Sequence, residues 1–111
     1  MNVRQTSRVG ELVLVMGMVG RDESGGLVTG VTSQTEHALR RVESALAAHA
    51  CGLADIVRLR VYLTSIADWP TVCDEISKAL GDDWPPTAVV EVTALVDPAM
   101  LVELEVDAAA P

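Results

Sequence analysis

The stretch IVRLRVYL, residues 56–63, alternates in a way that leaves few folds open. In an extended chain, Val57, Leu59, Val61 and Leu63 face one way and Ile56, Arg58, Arg60 and Tyr62 the other. A helix would scatter these residues around its axis, so the segment is a strand with one apolar and one charged face. The same rhythm returns near the end in PPTAVVEVTALVDPAMLVELEVDA, residues 85–108. There Val90, Val92, Val102, Leu104 and Val106 belong to a covered side. Glu91, Glu103, Glu105 and Asp107 belong to the side that carries Arg58, Arg60 and Tyr62. The reading predicts strands over about 55–64, 88–94 and 100–107, with a turn at Asp97-Pro98.

Two segments have helical spacing instead. Ala38, Leu39, Val42, Ala45, Leu46 and His49 form one stripe of a helix over about 32–50, capped by Thr32 or Ser33 and stopped by Gly52. Val72, Ile76, Ala79 and Leu80 form the stripe of a second helix over about 69–80, with Asp68 at its N-cap and Pro70 in the first turn. Upstream, residues 3–8 and the apolar run 12–16 read as strands around a turn at Val9-Gly10-Glu11, and DESGG, residues 22–26, reads as a loop. The order is β-β-α-β-α-β-β. It implies a two-layer α/β (α+β) domain spanning 1–111, with a mixed sheet and both helices on one face. The acids of the last strands then need not be buried. They lie on the uncovered face, where cross-strand pairing with Arg58 and Arg60 is the economical arrangement for Glu91, Glu103 and Glu105.

Composition narrows the function classes. Sixteen acidic residues face eight basic ones, for a formal charge of −8. Such a balance weighs against nucleic acid, ribonuclease chemistry and an anionic membrane surface. The start, MNVRQTSR, lacks the apolar core of a signal peptide, and the longest apolar run is too short to span a bilayer. With two unpatterned cysteines, Cys51 and Cys73, the expected compartment is the cytoplasm with free thiols. His37 and His49 are too far apart on one helix for a shared metal, and His49 with Cys51 makes no zinc site. No histidine is placed to activate Cys73.

Several segments together resemble the RidA/YjgF family: Gly17 after a strand, the helix with Gln34 and Leu39, GLADIVRLRVYLTSIADW, PPTAVVEVTAL and LVELEVDA. The resemblance runs from about Val3 to Ala108. It implies a fold like that of trimeric chorismate mutase, a homotrimer with ligand clefts between subunits, and a small-molecule ligand. It further implies hydrolysis of reactive enamines and imines to 2-keto acids and ammonia, with neither metal nor organic cofactor.

The motif of the family's hydrolases carries over only in part. Their Pro-Ala-Arg at the start of the penultimate strand is Pro85-Pro86-Thr87 here. The arginine that grips a substrate carboxylate by two parallel hydrogen bonds is therefore absent. The serine before the strand-ending Gly17 is Met16, the N-terminal tyrosine falls near Val3, and the frequent cysteine two residues past the arginine is Val89. The water-positioning glutamate of the last strand survives as Glu103, either a catalytic acid or a partner of Arg58 or Arg60. The resemblance thus implies ligand contacts at Val3, Met16, Gly17, Thr87, Val89 and Glu103 in a cleft more apolar than usual. Three functions fit: a trimeric metabolite-binding protein without the standard deaminase activity, an enamine/imine deaminase with another anchor such as Arg58 or Arg60, or a structural, chaperone-like trimer.

Overall fold

The computed structural model describes residues 1–111. The chain forms β1 (Thr6–Val9), β2 (Leu12–Val19), α1 (Val31–Ala47), β3 (Ile56–Leu63), α2 (Trp69–Leu80), β4 (Thr87–Glu91) and β5 (Val102–Ala109), in the order the periodicities predict. The strands make one mixed sheet in the order β1-β2-β5-β3-β4. Only β3 and β4 run parallel, because α2 carries the chain back between them. β5 lies antiparallel between β2 and β3.

One face of this sheet holds the core. Val13, Val15, Met18, Leu59, Val61, Leu63, Val102, Leu104 and Val106 meet Ala38, Val42 and Leu46 of α1 and Val72 and Ile76 of α2. With no Phe in the chain, the fit is made by branched aliphatic side chains. Gln34 is the polar pin. Its Nε2 donates to Val28 O at 3.0 Å and Ala99 O at 2.9 Å, and its Oε1 accepts from Leu101 N–H at 2.8 Å. Gln34 is fully buried, so these bonds repay its desolvation and tie α1 to the loops on both sides. The α1 backbone at Gln34 comes so close to Gly20 that a Cβ there would collide with it.

The helix ends differ from expectation. α1 starts at Val31 after Gly30, whose φ of 90° suits glycine, so Thr32 and Ser33 lie inside the first turn and cap nothing. It ends at Ala47, and the left-handed residue beyond it is Ala50, with φ 57°, while Gly52 is extended. His49 therefore leaves the helical stripe, and its Nε2 lies 2.8 Å from Thr6 Oγ1.

Two strand assignments are corrected by pairing. Ile56 pairs with Ala108 and Arg58 with Asp107, so β3 bulges at Val57. Ile56 is buried and Val57 is exposed, opposite to strict alternation. In β4, Val89 lies beside Val61 and Val90 beside Tyr62, which turns Val90 to the open face and not under the helices. Adjacent valines at 89 and 90 gave no alternation to decide between them.

Candidate functional site

The open face is a ladder of charges framed by apolar side chains. β5 supplies Glu103, Glu105 and Asp107; β3, paired to it, supplies Arg58, Arg60 and Tyr62. Arg60 stands opposite Glu105, and its Nη1 lies 3.6 Å from both Glu105 Oε1 and Asp107 Oδ2. These groups are partly wet, so each contact contributes roughly 0–1 kcal/mol in a single chain. Tyr62 Oη donates to Glu105 Oε1 at 2.8 Å. That bond, helped by burial and the carboxylate charge, holds the phenol protonated above its ordinary range.

Arg58 pairs in register with Asp107 but makes no ion pair in the chain. Glu91 leaves the ladder altogether. It lies beside Leu63, on the helix-side parity of the edge strand, and its Oε1 accepts the Ile66 N–H at 2.9 Å. The expected pairing of Glu91 with the arginines is thus replaced by a cap on the turn Ile66–Asp68.

Glu103 has a different environment. β2 carries one extra residue between Val15, opposite Val106, and Met18, opposite Leu104. The resulting bulge presents Met16 and Gly17 to β5. A Cβ on Gly17 would stand 2.5 Å from Glu103 Oε2, so the carboxylate rests on bare backbone. Burial there, and then the charge of Glu105, push the Glu103 carboxyl above its ordinary value. The bulge and the acid are thus brought together.

The other carried-over positions lie elsewhere. Thr87 and Val89 pair with Leu59 and Val61, on the helix side of edge strand β4. Val89 packs on the core, and Thr87 Oγ1 donates to Pro85 O at 2.8 Å. Val3 is exposed in the N-terminal tail. Two residues on, Gln5 O accepts the Met16 N–H at 2.9 Å, which lays the tail along β2. A depression of about 350 Å³ opens there, lined among others by Arg4, Leu14, Met16, Glu105 and Asp107. Within one chain the six expected ligand positions form no single pocket: Met16, Gly17 and Glu103 share the open face, and Thr87 and Val89 lie across the sheet.

Tyr62 is the residue whose role the sequence did not disclose. Alternation put it on the charged face, but its partner Glu105 depends on the β3–β5 register. No three His, Cys, Asp or Glu side chains converge as a metal set, and no helix is long and apolar enough to cross a membrane.

Comparison with known proteins sets this geometry among relatives. The chain is similar to a RutC family protein of Pyrococcus abyssi, at 29% identity over 103 residues covering 91% of this chain and 80% of that one. It is similar to human 2-iminobutanoate/2-iminopropanoate deaminase, at 28% identity over 93 residues covering 82% of this chain and 68% of that protein. Among solved structures, Rv2704 of Mycobacterium tuberculosis, described as a member of the YjgF/YER057c/UK114 family, superposes with a TM-score of 0.85 at 42% identity, covering 96% of this chain and 85% of that one. RidA from an Antarctic Psychrobacter superposes with a TM-score of 0.91 at 28% identity, covering 95% and 85%. The family model described as Endoribonuclease L-PSP matches residues 3–110. The family-model match across nearly the whole length, with these superpositions, leads to one conclusion: the chain belongs to the Endoribonuclease L-PSP family, that of the RidA/YjgF proteins.

Proposed function

We propose that this chain acts as a homotrimer that binds a small, partly apolar metabolite in clefts between subunits, and that it is not a standard 2-imino acid deaminase. The observation that carries the second half is at the head of β4. Thr87, in the place of the family hydrolases' carboxylate-gripping arginine, turns its hydroxyl back to Pro85 O. A neutral side chain engaged with its own backbone offers no bidentate charge to a small carboxylate. Met16 and Val89 make the same positions apolar. The trimer is supported by the open face, where Leu12, Leu14, Val57 and Val90 stay exposed beside the charge ladder. Thr87 and Val89 lie across the sheet from Glu103, so a cleft that holds all three needs a second chain. Neither nucleic acid nor membrane is a partner in this reading.

Light scattering and native mass spectrometry test the assembly: the expected mass is three times the 11.8 kDa chain, and a monomer refutes it. For the chemistry, a dehydratase generates 2-aminoacrylate or 2-iminobutyrate, and semicarbazide traps what is not hydrolysed. Loss of the charged contact predicts a rate at least about a hundredfold below that of an arginine-bearing relative. A comparable rate favours the second reading, deamination with Arg58 as anchor, which rests on the unpaired guanidinium and the raised Glu103 on one face. Arg58→Gln would then abolish the activity.

A further inference from the structure

On the helix side, away from the charged sheet face, two arginines without carboxylate partners come together. Arg21 sits where the loop after β2 closes on itself, in a bridge with Leu27. Arg41 projects from α1. Both line a hollow of about 640 Å³ that contains no apolar side chain and that His37 and Ser44 also line. Arg41 Nη1 donates to Val19 O at 3.0 Å, and Arg21 Nη1 to Gly25 O at 3.0 Å. Neither makes an ion pair in the chain. A guanidinium carries five N–H donors, so both keep most of theirs for another partner. Their neighbour Arg40 is already engaged with Glu36.

Sixteen acids are available to satisfy eight bases, yet these two cations line one hollow and neither forms an ion pair, even with Asp22 and Glu23 in the same wall. Burial, and then the charge of Arg21, hold the Arg41 guanidinium below its ordinary range. Two partly buried like charges in one hollow are unfavourable until an anion joins them. His37 Nδ1 donates to Ser33 O at 2.9 Å, so Nε2, which has no partner in the chain, offers an anion a donor only as the imidazolium.

We propose that Arg21 and Arg41, with His37 and Ser44 beside them, form a second ligand site that takes a phosphate group, free or as the monoester of a small metabolite. Two guanidinium forks match the several oxygens of a phosphate dianion, whereas a carboxylate fills only one fork. The hollow has the volume of a small-ligand cleft, and with no apolar residue in its lining it suits the hydroxylated body of a phosphomonoester. Two carboxylates, Asp22 and Glu23, also line it. Asp22 turns Oδ1 into its own loop, accepting from Ser24 N–H at 3.0 Å, Ser24 Oγ at 2.7 Å and Gly26 N–H at 3.0 Å. Those bonds hold it ionised below the usual carboxylate range. Glu23 has no such engagement; both carboxylates oppose an anion, and Glu23 is the one that can be neutralised without undoing the loop.

The site does not depend on the trimer or on the sheet-face cleft. Calorimetric titration of the full chain with inorganic phosphate and with glycerol 3-phosphate, against sodium chloride of equal ionic strength, tests it. Saturable binding is expected, weakened at least about tenfold by Arg21→Gln and by Arg41→Gln. Glu23→Gln should tighten it severalfold, which a merely structural role would not produce. Because Arg41 also holds Val19 O, Arg21→Gln with an unchanged melting temperature carries the test if Arg41→Gln does not fold. Tighter binding of the ester assigns the site to a phosphorylated metabolite, and equal affinity assigns it to free phosphate. No saturation below about 10 mM, affinity unchanged in Arg21→Gln, or a short single-stranded oligonucleotide bound more tightly than the ester overturns the proposal.

Discussion

On the helix side of the sheet, Val13, Val61, Val102 and Leu104 expose none of their surface; on the other side, Leu12, Leu14, Val57 and Val90 expose 39–45% of theirs. Both sets are aliphatic and belong to the same sheet. What separates them is that α1 and α2 cover one face and nothing within the chain covers the other. The open face mixes apolar edges with a central acid ladder on β5. A face meant for water alone would not carry four large aliphatic residues, and a face buried outright would not carry three acids and one engaged arginine. The mixture suits a surface closed by another copy of the chain, with wet clefts left in it.

The largest expected effect lies on the covered side. Leu104→Ala would empty the middle of the sheet between β2 and β3 and should lower stability by about 2–5 kcal/mol, read from urea unfolding. A loss below about 1 kcal/mol would mean the helix layer is looser than its burial indicates.

The sharpest test of the open side is Arg60→Ala at two protein concentrations. For a dissociated chain, the wet contacts to Glu105 and Asp107 predict a loss under about 1 kcal/mol. In an assembled trimer the same change leaves covered carboxylates unpaired and should cost about 3–5 kcal/mol. The same small loss at both concentrations breaks the comparison, because it would show a face that stays wet.

Glu103→Gln probes the boundary between the two environments, with a smaller effect. The folded state raises this carboxyl above its ordinary value of 4.5. Between the two values the folded chain holds more protons than the unfolded one, so the parent loses stability as pH rises through that window. The amide of the variant has no such proton to lose. The variant should melt higher than the parent at pH 7 and the same at pH 4, and an equal shift at both values would remove burial of the charge as the cause.

Arg40→Ala, on the exposed side of α1, should change stability least, by about 0.3–0.5 kcal/mol, since its bond to Glu36 is a solvated i,i+4 pair. A melting temperature far below the parent's would assign that surface a structural role.

Element order and covered face were legible because two periods, two and three-and-a-half residues, are written plainly in segments 58–63, 38–46 and 102–107. Where the period was silent, reading failed. Val89 and Val90 are interchangeable to an alternation argument, and only pairing with β3 shows which one is covered. That single parity also moved Glu91 from the ladder to the Ile66 N–H. Of the candidate site, Glu103 and Gly17 were reachable through motif position, but their mutual contact depends on an extra residue in β2 that no local propensity announces. The Tyr62–Glu105 bond and the Arg21–Arg41 hollow are products of register and loop course. Neither exists until distant segments meet.

The two bulges behave like single letters inserted into a two-letter code. Before Met16–Gly17, odd-numbered residues of β2 point inward; after them, Met18 does. In β3 the phase slips at Val57. Deleting Met16 would therefore restore the plain alternation: Val15 and Met18 would stand two residues apart with both still inward, and only the bulge that lays bare backbone under Glu103 would be lost. Deleting Leu14 would instead shift the phase of every residue upstream, sending Val13 outward and Leu12 inward, and with them the whole β1–β2 hairpin. For this fold, a residue lost from the regular part of β2 is a frameshift, while one lost from the bulge only closes a gap in the text.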